Sequence, residues 1–318
     1  FLVKPVNASV LFDTIMGVFG HDTGRRARKG PGATEEVAGL DAIRGARVLL
    51  TEDNEINQQI AMELLEKVGM VVEVANNGLE AVEAVAATDY DLVLMDIQMP
   101  ELDGLSASGR IREAGHDAEK LPIVAMTAHA MAGDREKSLE AGMNDYITKP
   151  IDPKELFTAL VTWIKPGQRE VPEHLAQPAK ADDSLNDLPL DGTPGINVRA
   201  GLTKVAGNRK LYKKLLGQFR DKNADAVADI QAQLAENDRD TATRTAHTVK
   251  GVAANLGADP LSRAAGEVER ALKGGVSGPD LDPLLAPLAE HLAEVMASIE
   301  LLLPATTTAA GATGAGVD

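Results

Sequence analysis

No cysteine occurs among the 318 residues. Disulfides, thiolate metal centres and cysteine nucleophiles are therefore excluded, and a reducing, cytoplasmic setting is the expectation. Basic residues are scarce as well: 32 Lys and Arg stand against 48 Asp and Glu, giving a formal net charge of −16 and a pI near 4.8. Such a chain repels a phosphate backbone, so nucleic acid is not an expected partner. The one dense basic run, Arg25-Arg26-Ala27-Arg28-Lys29, lies in a Gly-containing stretch and reads as solvated linker. No apolar run approaches the ~20 residues that span a bilayer, so no membrane contact is expected of this segment. The opening stretch FLVKPVNASVLFDTIMGVFG begins with Phe1 and lacks the layout of a signal peptide. It reads as the cut end of a longer protein. There is no Gly-rich ATP-binding loop either, and ATP use is not expected of these residues.

What is present falls into two blocks. Residues 46–165 alternate short apolar runs (RVLLT, MVVEVA, DLVLMD, LPIVAMT, DYITK) with segments of helical periodicity such as Ile56, Ile60 and Leu64. Five strands alternating with helices predict an α/β doubly wound, five-stranded parallel sheet. Residues 196–303 lack strand runs. Leu211, Leu215, Phe219, Val227, Ile230 and Leu234 recur at helical spacing, as do Leu288, Leu292, Val295, Ile299 and Leu302, which predicts an all-α helical bundle. Polar, Gly-rich or Pro-rich stretches at 20–45 and 166–195 read as linkers, and the Thr/Ala/Gly tail at 304–318 as disordered. Residues 1–19 repeat the pattern of YITKPIDPKELFTAL from Tyr146, with Lys4-Pro5 matching Lys149-Pro150. They read as the last strand and helix of a second, upstream copy of the α/β unit.

Charged and hydroxyl side chains sit at the ends of the predicted strands: Glu52-Asp53, Asp96, Thr127, and Lys149 before Pro150. In an open parallel sheet the carboxyl ends of the strands form the ligand crevice. Three carboxylates, a hydroxyl and a lysine would converge there, a set suited to a hard divalent cation and a phosphoryl group.

On these residues the first block resembles the flavodoxin-like receiver domain of two-component signalling. The strings TEDNEINQQIA, NNGLEAVEA, VLMDIQMPELDG, PIVAMTAHAM and AGMNDYITKPID carry the resemblance, in order. It implies that Asp96 is the phospho-acceptor. Glu52, Asp53, Asp96 and the backbone carbonyl of Gln98 would hold Mg²⁺, and Lys149 would contact the phosphoryl oxygens. Thr127 and Tyr146 would be the residues that reorient on activation, and the peptide before Pro150 is commonly cis in this family.

In TAHTVKGVAANLGA, Ala242, Ala246, Val249, Ala253 and Leu256 form one helical stripe, while His247 and Gly251 fall on the opposite side. His247 thus points away from the predicted core, with Lys250 and Gly251 along its own face. A glycine there leaves space beside the imidazole for a docking partner, and Lys250 offers positive charge to a phosphoryl group. The block resembles a histidine phosphotransfer domain, whose single exposed histidine is phosphorylated. Together the two resemblances imply the C-terminal part of a hybrid sensor histidine kinase, with the kinase core upstream in cis. The phosphoryl group would pass from a phosphohistidine to Asp96, to His247, and on to a downstream response regulator. A docking module switched at Asp96 without onward relay is the alternative; the two differ in whether His247 is needed.

Overall fold

The structure is a computed structural model describing residues 37–127, 132–176, 188–276 and 278–303. The expectations for residues 1–19, for 20–36 and for the 304–318 tail lie outside the described residues.

Five strands, β1 (Arg47–Thr51), β2 (Val71–Ala75), β3 (Leu92–Asp96), β4 (Ile123–Thr127) and β5 (Asp145–Thr148), pair in parallel in the order β2-β1-β3-β4-β5. This is the predicted doubly wound sheet. β1, β3 and β4 lie inside it and are almost wholly buried, so their sequences are continuous apolar runs instead of alternating ones. Successive residues still serve opposite faces. Val48, Leu50, Leu92, Leu94, Val124 and Met126 join one core, and Leu49, Val93, Met95, Ile123 and Ala125 join the other.

The crossovers carry α1 (Glu55–Lys67), α2 (Gly78–Ala87), α3 (Gly104–Glu113), α4 (Ala132–Glu140) and α5 (Pro153–Trp163). Short polar side chains start them. Asn54 accepts from the backbone N–H groups of Ile56 and Asn57, Asn77 caps α2, Asp103 caps α3 and Asp152 caps α5, where Pro153 occupies the first turn.

The second block is helical throughout: α6 (Val198–Lys204), α7 (Arg209–Asn223), α8 (Ala226–Ala235), α9 (Arg239–Leu256), α10 (Asp259–Lys273) and α11 (Asp282–Leu302). α9 is central, packing on α6, α7, α8 and α10. Its predicted apolar stripe, Ala242, Ala246, Val249, Ala253 and Leu256, is buried. Gly257 ends the helix at φ +80°, and a Cβ there would strike the carbonyl of Asn197, so only glycine suits this close turn. No helix among the described residues is long and apolar enough to cross a membrane.

The two blocks touch directly, because α1 packs against α7 and α9. Both described ends of the 166–195 segment are also tied down. Gly167 donates to the Ala42 carbonyl at 3.0 Å, Arg169 pairs with Asp91 at 2.6 Å, and Ser298 donates to the carbonyl of Pro194 at 2.7 Å. Those contacts are long-range, and a polar composition gives no sign of them.

Candidate functional site: a pocket between sheet and bundle

The carboxyl ends of β1, β3 and β5 deliver Glu52 and Asp53, Asp96, and Lys149 to one edge of the sheet. β1 and β3 are the neighbours between which the strand order reverses, where open α/β sheets place their ligands. The Lys149–Pro150 peptide is cis. Gly104 begins α3 directly beside Asp96: a Cβ there would collide with the Asp96 carbonyl oxygen. The loop after β3 can fold this tightly only because position 104 has no side chain.

The Lys149 ammonium bridges Glu52 Oε2 at 2.5 Å and Asp96 Oδ2 at 2.6 Å, and all three side chains are buried. Burial alone would lower the lysine's pKa; the two carboxylates outweigh it and hold Lys149 well above its usual range. One ammonium cannot neutralise two carboxylates. Burial, with Glu52 and Asp53 adding repulsion, pushes the Asp96 carboxyl up to about 7 despite Lys149. The other Asp96 oxygen accepts from the Gln98 backbone N–H at 3.1 Å. Asp53 lies at the mouth, reachable by solvent. Lost hydration from the surrounding atoms, and then the Glu52 charge, raise it too.

Carboxylate oxygens of Glu52, Asp53 and Asp96 all lie within 4.8 Å of one another. A crowded set of hard oxygen donors with excess negative charge fits Mg²⁺, which takes oxygen ligands and keeps several waters.

Across the pocket stands α9. His247 Nδ1 lies 2.9 Å from Glu269 Oε1 of α10, and Glu269 also accepts from Lys250 at 3.1 Å and Lys273 at 2.7 Å. A carboxylate only accepts, so Nδ1 carries a proton, and in the neutral imidazole Nε2 keeps the lone pair. Glu269 is 2 % exposed. Burial would raise its carboxyl; His247, Lys273 and Lys250 together hold it far below the ordinary glutamate range. His247 is off the bundle core, as its helical phase predicts, but it does not stand in open solvent. Its side chain is 18 % exposed, because α10 flanks it and the first block covers it.

Glu52, Asp53, Asp96 and Lys149 from one side, and His247, Lys250 and Gly251 from the other, line a single recess of about 50 Å³. A nucleotide-sized ligand needs roughly 300 Å³ or more and does not fit. Thr127, Gln98 and Tyr146 do not line the recess. Thr127 is buried at the end of β4, its carbonyl accepting from the Lys149 N–H at 2.7 Å, and Tyr146 packs into the far-face core. A Cβ at Gly251 would lie 3.9 Å from Asn57 Nδ2 of α1; the space beside the histidine is thus taken by the chain's own first block.

Sequence reasoning passed over three residues here: Glu269, Asn57 and Asn255. Glu269 and Asn57 are polar side chains in phase with a buried helix face, an anomaly visible in the sequence because a buried polar group must have a partner. Asn255 lies on the His247 side of α9, opposite the apolar stripe, and is buried by the docked first block.

The response regulator receiver domain model matches residues 48–161, and the Hpt domain model matches residues 214–303. Over 248 residues the chain is 30 % identical to the signal transduction histidine-protein kinase BarA of Escherichia coli K12, covering 78 % of this chain and 26 % of BarA. Over 254 residues it is 34 % identical to the sensor histidine kinase GacS of Pseudomonas protegens, covering 79 % of this chain and 26 % of GacS. The chain therefore spans about a quarter of the length of these relatives. Among solved structures it is similar to the receiver domain of sensor histidine kinase PA1611 from Pseudomonas aeruginosa, crystallised with magnesium in its active-site cleft. The identity is 43 %, the coverage 37 % of this chain and 97 % of that one, and the TM-score 0.35. The chain belongs, over residues 48–161, to the response regulator receiver domains and, over residues 214–303, to the Hpt domains of two-component phosphorelay signalling, and over both it is similar to parts of the sensor histidine kinases BarA and GacS.

Proposed function

We propose that a phosphoryl group passes within this chain from Asp96 to His247. An Asp96 carboxylate oxygen attacks the phosphorus of a phosphohistidine on an upstream kinase core, and the P–N bond breaks as an acyl phosphate forms. His247 Nε2 then attacks that phosphorus. A new P–N bond forms as the bond to Asp96 breaks, and Asp96 returns to a carboxylate. A response regulator would take the group from His247 in turn. The observation that carries this reading is the shared recess, with Asp96 on one wall and His247 on the other.

Phosphoryl transfer asks a protein mainly for positioning and charge neutralisation. Lys149 is placed to follow the phosphoryl oxygens on Asp96, Lys250 to meet them on His247, and Glu269 to hold the imidazole. Mg²⁺, held by Glu52, Asp53, Asp96 and the Gln98 carbonyl, would supply the remaining neutralising charge. Thr127 and Tyr146, outside the recess, would act as switch residues and not as transfer groups.

The test is site-resolved labelling with Mg²⁺ and a small acyl-phosphate donor. Label should appear on Asp96 and then on His247. Asp96→Asn should lose both and His247→Gln only the second. Label that stays on Asp96 in the wild-type chain would defeat the intramolecular relay and favour a docking switch.

Position 251 gives a graded check. A methyl at 3.9 Å from Asn57 is ordinary van der Waals contact, and alanine in a helix interior gains about 1 kcal/mol over glycine. Gly251→Ala should therefore transfer at near wild-type rate with a raised Tm. Gly251→Phe must displace α1 and should slow transfer at least ~10-fold, since small misplacements of reacting groups are costly. Equal rates for the two variants would show that this face does not approach Asn57 during transfer.

A further inference from the structure

The receiver–Hpt contact contains polar pairs of two kinds. Lys222 meets Glu55 at 2.7 Å, with side chains 50 % and 60 % exposed, and a solvated pair of this sort discriminates weakly; Asn208 donates to Glu63 at 2.9 Å, both half-buried. Asn57 and Asn255 are different. They are 8 % and 5 % exposed, and Asn255 Nδ2 donates to Asn57 Oδ1 at 2.8 Å.

The polarity of this bond is dictated from inside the receiver. Glu52 Oε2 takes the Lys149 ammonium, and Glu52 Oε1 accepts from Asn57 Nδ2 at 3.0 Å. A carboxylate has no proton to give, so Asn57 must turn its NH₂ inward and its carbonyl oxygen outward. The Hpt helix can then offer only a donor opposite it. Asn255 does so, and its own Oδ1 is left buried without a hydrogen-bond partner among the described residues. An orphaned acceptor weakens the contact, so its value does not lie in tightness. A pair with this cost serves selection, because a wrong partner leaves a second buried group unpaired.

We propose that Asn255 is a specificity-determining and positioning residue, the pin that sets the register of the Hpt bundle on a receiver. A receiver that exchanges phosphoryl with His247 must present a side-chain acceptor at the place of Asn57, turned outward by the acidic residue matching Glu52. The inference rests on the relay reading. It extends to the response regulator downstream, which must meet the same face of α9 once the in-chain receiver has moved away.

The test uses the full chain. Asp96 is loaded with a small acyl-phosphate donor and Mg²⁺, the donor is removed, and the first-order passage of label to His247 is followed. Asn255→Asp keeps the shape but sets an acceptor against an acceptor. Transfer should slow ~10-fold or more, the cost of burying groups unpaired. A protonated carboxyl can donate, so the deficit relative to wild type should narrow between about pH 8 and pH 5.5, as the new carboxyl gains its proton in this buried setting. A role confined to packing would show no such pH-dependent recovery. Should Asn255→Asp fail to fold, Asn255→Leu decides the matter: it too should slow transfer ~10-fold, because the Asn57 oxygen stays buried without a donor. Transfer within ~2-fold of wild type in the folded variant overturns the pin while leaving the relay standing, since a lost buried partner costs more than that. Failure of the wild-type chain to pass label from loaded Asp96 overturns the relay and the pin with it.

Discussion

Lys149→Met is expected to slow phosphoryl uptake on Asp96 by roughly 10²–10³-fold, the range for removing one preorganised charge-stabilising group. It should also destabilise the Mg²⁺-free chain by about 3 kcal/mol, because it leaves buried charge uncompensated. Methionine fills the space of the lysine stem, so neither effect is a cavity effect. The cause is electrostatic: one ammonium lies between Glu52 and Asp96 at 2.5 and 2.6 Å. Added Mg²⁺ should recover part of the lost stability, because a cation that binds only the folded site shifts the equilibrium toward it.

Asp96→Asn should act in the opposite sense on stability while abolishing uptake. The Asp96 carboxyl is raised in the folded state to about 7. Between the ordinary value of 3.8 and that point the folded chain holds more protons than the unfolded one, so stability falls as pH rises through this window. The asparagine variant lacks this part of the slope. With chelator present, it should be more stable than wild type above pH 7, by on the order of 2–4 kcal/mol at about 1.4 kcal/mol per pKa unit, and its Tm correspondingly higher. Toward pH 4 the two should converge. Thermal melts across that range check both points; a wild-type Tm that rises with pH there would show that the excess buried charge is not where the structure puts it.

How much of this was legible in the sequence depends on the distance over which each feature is decided. Glu52, Asp96 and Lys149 each follow a short apolar run, and parallel-sheet topology alone carries all three ends to one edge, so local pattern sufficed. His247 was placed off the bundle core by helical phase. Its cover was not legible, because that depends on α1 docking against α9, which no local pattern encodes. The polar tether is a similar case. Arg169 reads as linker, yet it reaches across to Asp91 at 2.6 Å. Glu269 is more instructive. Leu261, Ala265, Val268 and Leu272 mark the buried face of α10, and position 269 falls in the same stripe. A buried acid demands hydrogen-bond donors or positive charge, and the nearest were already known on the facing helix as His247 and Lys250. Phase arguments applied to polar as well as apolar residues would have found it.

Glu269 also yields the second large effect. Glu269→Ala should slow passage of label from loaded Asp96 to His247 by roughly 10–100-fold, because imidazole orientation and tautomer are no longer fixed and geometry of this kind dominates transfer. Glu269→Gln can still accept the Nδ1 proton at one oxygen but cannot balance Lys250 and Lys273, so its rate should fall between the two. That order separates orientation from charge: if Gln and Ala are equally slow, the charge matters and the hydrogen bond does not. Stability should follow the same carboxyl. Its folded pKa lies well below the ordinary glutamate value, so its contribution is present above about pH 4.5 and is lost as pH falls toward the folded value. The alanine variant should therefore be less stable than wild type at pH 7 and lose less on acidification. The loss at neutral pH should be about 2–3 kcal/mol, below the full range for a broken buried ion pair, because the Lys273 and Lys250 side chains, 43 % and 20 % exposed, can turn to solvent. An alanine variant that hands label to His247 at the wild-type rate would remove Glu269 from the transfer machinery and leave it a purely structural ion-pair residue.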